Sequence, residues 1–75
     1  MGIELMNDLA QKIGQAIRVC RTEQKITQEK LALLCNIDRS YLGRIERGEV
    51  NITVHKLYEI AHILEVEPYV ILPKD

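Results

Sequence analysis

Residues 27–48 read TQEKLALLCNIDRSYLGRIERG, and the spacing of their apolar side chains decides the fold. Thr27 is suited to the start of a helix, because its hydroxyl can accept a backbone N–H that lacks a partner within the first turn. Glu29 then complements the positive end of the helix dipole. Leu31, Ala32 and Cys35 fall on one face of the short helix that follows, and Asn36 tolerates the left-handed conformation that ends a helix where glycine is absent. Only Ile37 separates Asn36 from Asp38, a second capping residue, so another helix is expected to begin there and run to Arg47 before Gly48 stops it. Leu42 and Ile45 form its buried edge. Small Ala32 permits close approach, and two short helices joined by so tight a turn are expected to pack at a steep angle as a helix-turn-helix.

Upstream, Leu5, Leu9, Ile13, Ile17 and Cys20 recur at steps of four and three, with Ala16 on the same stripe and Arg18 opposite. This predicts a first helix that ends near Gln24. Downstream, Thr53 can cap a fourth helix whose inner stripe is Leu57, Ile60, Ala61 and Leu64. Pro68 suits the first turn of a short fifth helix, Tyr69 to Leu72, which Pro73 ends. The aromatic residues are Tyr41, Tyr58 and Tyr69 alone, and no alternating β-branched run exceeds a few residues. The expected fold is all-α: a compact five-helix domain with the helix-turn-helix at its centre.

The chain has 75 residues and a formal charge of -1. So short a chain is expected to form one domain over residues 1–75, since a split would leave neither half able to bury a core. With 47% hydrophobic and 28% charged residues, it is too apolar for a disordered chain. The longest apolar run, Leu31 to Cys35, is far below the roughly 18 residues that cross a bilayer, and the N-terminus lacks a basic-then-apolar signal. A cytoplasmic protein with no membrane partner is expected. Cys20 and Cys35 read as small core hydrophobes, because nothing nearby offers the four-ligand spacing of a zinc site. His55 and His62 fall on the polar face of the fourth helix without carboxylates or thiols to complete a metal site. No nucleophile–base pair or phosphate-binding glycine loop is visible. No enzyme activity, cofactor or small-molecule substrate is therefore expected. The net charge conceals an uneven distribution, for nine basic residues stand against five acidic ones between Lys12 and Lys56. An anionic partner and an ordinary solvated surface both fit that excess.

With Leu42 and Ile45 buried, a rotation of about 100° per residue places Ser40, Gly43, Arg44 and Arg47 on the opposite face of the third helix. That face would meet the DNA major groove. Arg39 stands at the helix start, where a long side chain reaches base edges, and its forked donors match O6 and N7 of guanine. Arg39 is the main candidate base reader, with pairing to Asp38 as its alternative role. Ser40 can bond a base or a phosphate. Tyr41 can offer its hydroxyl to phosphate or its ring to a thymine methyl, or else pack against the second helix. Arg44 can read bases or phosphate, and Gly43 would let the backbone approach DNA, with plain solvent exposure as the alternative for both. Arg47 and Asn51 could hold a backbone phosphate and fix register, although Asn51 could simply shape the turn.

Gln28, Leu31, Ala32 and the run I-D-R-S-Y-L-G-R-I-E-R-G from Ile37 to Gly48 resemble the XRE family of phage Cro and repressor DNA-binding domains, over roughly Lys12 to Leu72. Within that family D-R-S-Y-L-x-x-I-E-R-G, followed by Asn51 and Ile52, is most similar to controller proteins of restriction-modification systems. The resemblance implies a five-helix domain that dimerises and binds double-stranded operator DNA, commonly at its own promoter. It implies a phosphate clamp at Gln28, where backbone N–H groups at the helix start would assist, with a purely structural first-turn role as the alternative. It also implies an ion bridge between Arg21 and Glu46, which makes Glu46 structural. Three departures stand out: Lys30 replaces the common acidic capping partner, Asn36 replaces the usual turn glycine, and Val50 stands where some controllers carry a basic residue. The second function class is an antitoxin-like protein-interaction module of a toxin–antitoxin pair. For a homodimer, the C-terminal end is the expected interface. Ile63 lies off the inner stripe, and Tyr69, Val70, Ile71 and Leu72 exceed what one small core needs; the alternative is that these side chains cover the bottom of the monomer core. Outward Leu33 has no assigned role.

Overall fold

The computed structural model describes residues 3–73, with side chains from Asp8 onward. Among these residues the chain runs through α1 (Ile3–Glu23), α2 (Gln28–Cys35), α3 (Arg39–Glu46), α4 (Val54–Leu64) and α5 (Pro68–Ile71). The expected all-α architecture is what is observed. Thr27 and Thr53 cap α2 and α4 through their hydroxyls, which accept from the N–H of Lys30 and of Lys56. Asp38 occupies the cap position of α3 with extended backbone but makes no side-chain cap bond. α5 starts one residue earlier than expected, on Pro68, and also ends one earlier. Leu72 is extended because the ring of Pro73 disfavours helical backbone in the residue before it.

α1 packs against α3, α4 and α5, while α2 packs against α3 and α4. The space between them is filled by Ile17, Leu31, Leu42, Ile45, Ile60, Leu64 and Ile71, all essentially without solvent contact. Each such side chain contributes on the order of 1.5–3 kcal/mol through removal of apolar area from water. Cys20 and Cys35 are free and buried in this core, and burial pushes both thiols above the usual range. No helix among the described residues is long and apolar enough to cross a membrane.

Two expectations about the core are corrected. Leu9 is exposed and Ala10 is buried in its place. Steps of four advance about 40° around a helix each time, so Leu9, two such steps before Ile17, has drifted off the inner face. Ala10, seven residues before Ile17, returns to the same side. The side chain of Leu5 lies outside the described residues. Ile71, expected in a free C-terminal apolar patch, is 1% exposed. It belongs to the core because the single turn of α5 directs it toward α1 and α4, and it is not available to a partner.

Close approach between α1 and α3 depends on Gly14, since a Cβ there would collide with the carbonyl oxygens of Ile45 and Glu46. Just past α3, Gly48 takes up the left-handed region, with the N–H groups of Gly48 and Glu49 donating to the carbonyl oxygens of Ile45 and Arg44. α1, α2 and α4 finish in the same way without glycine, on Lys25, Asn36 and Glu65, whose φ values are 59°, 57° and 59°.

Candidate nucleic-acid interface

α3 turns Leu42, Ile45 and Glu46 into the protein and leaves Arg39, Ser40, Arg44 and Arg47 exposed. Three cations and a hydroxyl thus share one solvent-facing side. Gly43, expected on that side, is buried. A Cβ at Gly43 would stand 3.1 Å from Nη1 of Arg47 and 3.8 Å from Oε1 of Gln28. The glycine makes room for the Arg47 guanidinium and the start of α2 instead of lying open to DNA.

Beneath this surface lies a buried ion pair. Arg21 donates from Nε to Oε2 of Glu46 at 2.7 Å and from Nη2 to Oε1 at 3.0 Å. A third guanidinium N–H donates from Nη1 to the carbonyl oxygen of Ile26 at 2.8 Å. The two residues are 9% and 6% exposed. Their charges are tolerable there because each is paired and bonded by a second group. For Glu46 that second group is Gln28, whose Nε2 donates to Oε1 at 2.9 Å. An ionised carboxylate only accepts, so the amide must turn its nitrogen inward and its oxygen outward. The outward oxygen lies 3.5 Å from Nη1 of Arg39, a long contact at the open notch between α2 and α3.

At the other end of α3, Arg47 donates from Nε to Oε2 of Glu49 at 2.7 Å and from Nη2 to Oε1 at 3.4 Å. Their hydrogen bond holds the Glu49 carboxyl below the usual carboxylate range, and Arg44 adds to the effect. Arg47 is correspondingly pushed up. Asn51 is exposed in the loop that follows, and Ser40 is exposed near the start of α3. Tyr41 is half-buried and packs against the core. The structure therefore gathers Gln28, Arg39, Ser40, Arg44 and Arg47 on one surface, with Tyr41 at its edge. At the C-terminal end Tyr69, Val70 and Leu72 are exposed, while Ile63 is half-buried against the core.

Sequence reasoning missed Glu49. The signal available was a carboxylate two residues after an arginine across a glycine turn, but only the path of that turn shows that the side chains meet. The tie between Gln28 and Glu46 was likewise missed, since it joins positions that are distant in sequence.

Residues 17–71 match the family model HTH_3, described as helix-turn-helix. The control protein C.BamHI of Bacillus amyloliquefaciens is 34% identical over 65 residues, covering 85% of this chain and 80% of the relative. The immunity repressor protein of Bacillus phage phi105 is 40% identical over 55 residues, covering 73% of this chain but 38% of the relative. Among solved structures, the restriction-modification controller protein C.AhdI from Aeromonas hydrophila superposes with a TM-score of 0.80 at 38% identity, covering 84% of this chain and 96% of that one.

Proposed function

This chain belongs to the helix-turn-helix family HTH_3, and from that membership we propose that it is a cytoplasmic, non-catalytic transcriptional regulator. It binds a two-fold symmetric DNA operator as a homodimer and controls a restriction-modification system, the second of these being what the name of the Aeromonas hydrophila controller protein states for that protein. The observation that carries this is the exposed side of α3, where Arg39, Arg44 and Arg47 stand together beside the start of α2. Arg39 reads base edges, with Ser40 and Arg44 adjacent, while Gln28, Arg47 and Asn51 hold phosphates. Gln28 can do so without leaving Glu46, because a primary amide has a second N–H to give. Tyr41, being half-buried, contributes at most its hydroxyl.

Dimerisation rests on the exposed Tyr69, Val70 and Leu72 together with half-buried Ile63. Pairing these patches about a two-fold axis would cover apolar surface and turn both copies of α3 toward one face of DNA. Selection of binding sites from random duplexes tests the whole proposal. Symmetric half-sites about 10 base pairs apart, or a small multiple of that, are expected. Arg39→Ala should cost roughly 1–3 kcal/mol per half-site and relax preference at one or two positions. An unchanged selected motif would remove Arg39 from the base-reading role.

A further inference from the structure

Arg47 already has an anion. Its guanidinium is engaged through two nitrogens by both oxygens of Glu49, at 2.7 and 3.4 Å, using the forked geometry that a DNA phosphate would otherwise satisfy. The position of Glu49 is not left to chance. Gly48 takes up the left-handed conformation, and the Glu49 N–H is tied back to the carbonyl of Arg44 at 2.9 Å. A Cβ on Gly48 would run into Gln11 of α1, so the turn is clamped from both sides. Glu49 therefore sits on the rim of the surface that carries Arg39, Arg44 and Arg47, as the carboxylate bonded to one of its cations.

We propose that Glu49 is a specificity-determining residue: an internal competitor that withholds Arg47 from DNA until a phosphate is presented in register. The inference rests on the proposed phosphate role of Arg47. On a non-operator duplex the protein sits in no fixed register. A loosely placed phosphate then gains little over the carboxylate already bonded, and Arg47 adds little net affinity. On the operator, base contacts from the start of α3 fix the phosphate positions. One of them can then replace Glu49 at the guanidinium, and the exchange is complete. The competitor thus weakens unspecific binding more than operator binding.

The test uses the full chain with Glu49→Gln, Arg47→Ala and the double variant, each titrated on the selected operator and on a scrambled duplex of equal length and composition. Glu49→Gln should bind the scrambled duplex roughly three- to fivefold tighter, the ceiling for an exposed pair. Its log–log salt dependence on that duplex should steepen by about 0.9, one further phosphate neutralised. Operator affinity should rise less, so the ratio between the two falls. In the Arg47→Ala background most of this gain should vanish. An equal gain in that background would show that simple removal of a negative charge is responsible, and would overturn the proposal. So would an equal rise on both duplexes, or weaker operator binding by Glu49→Gln, which would make Glu49 a support for Arg47. If Arg47→Ala alone changes neither affinity nor salt dependence on the operator, the phosphate role of Arg47 has failed first and the proposal falls with it.

Discussion

The pairing of Arg21 with Glu46 ties the exposed arginines of α3 to the interior, and its removal should be costly. Glu46→Ala leaves a nearly buried guanidinium without its counterion, for an expected loss of about 3–5 kcal/mol in a domain whose total stability is on the order of 4–11 kcal/mol. Urea unfolding would register this as a lower midpoint with an unchanged slope. Replacing Arg21 and Glu46 together by Met and Leu should restore much of the loss, and this double variant keeps the test informative if Glu46→Ala does not fold. A midpoint within error of the parent for Glu46→Ala would mean that water reaches the pair. At this scale the sequence was partly legible. Arg21 and Glu46 could be named because both flank apolar stripes, and because the chain resembles a family that carries such a bridge. The Gln28 amide and the Glu49 carboxylate could not, because the partner of a flexible polar side chain depends on backbone paths that apolar periodicity does not report.

Each helix start and stop between Thr27 and Gly48 could be placed to within a residue from capping chemistry, and the inner stripes of α2, α3 and α4 from periodicity. What failed were azimuths. Counting α1 in fours carried Leu9 onto the core side, where Ala10 in fact lies, and a rotation about α3 alone could not show that the start of α2 covers Gly43. The contact of α1 with α3 offers a test of its own. Gly→Ala inside a helix ordinarily gains up to about 1 kcal/mol, yet at Gly14 the added methyl would meet the carbonyls of Ile45 and Glu46. Gly14→Ala should therefore destabilise by roughly 1–3 kcal/mol, as overpacking does, and by separating α1 from α3 it should strain the Arg21–Glu46 bonds as well. Chemical denaturation of this single variant suffices, and a stabilised protein would show that the two helices can part freely.

For the whole molecule, the proposed dimer makes the C-terminal face the place to test. Ile63 is half-buried against the core, so a charge there would disturb the fold and the interface together. Val70 is 44% exposed and separates the two. Val70→Glu should leave helix content unchanged, shift sedimentation from dimer to monomer at micromolar concentration, and weaken operator binding more than non-operator binding. A dimer that persists would move the interface, with Leu33, 72% exposed on α2, as the next surface to alter. A different property of the molecule follows from the way its helices end. Lys25 and Glu65 hold a backbone hand that L-residues resist by about 1–2 kcal/mol, whereas glycine accepts it at an entropic cost of roughly 0.5–1 kcal/mol in the unfolded chain. The protein therefore carries unspent thermal headroom at two positions away from α3. Lys25→Gly and Glu65→Gly should each raise Tm by a few degrees, since about 1 kcal/mol corresponds to roughly 4–8 °C in a domain of this length. Scanning calorimetry would check it, and a Tm that falls would mean that these side chains stabilise the turns they strain.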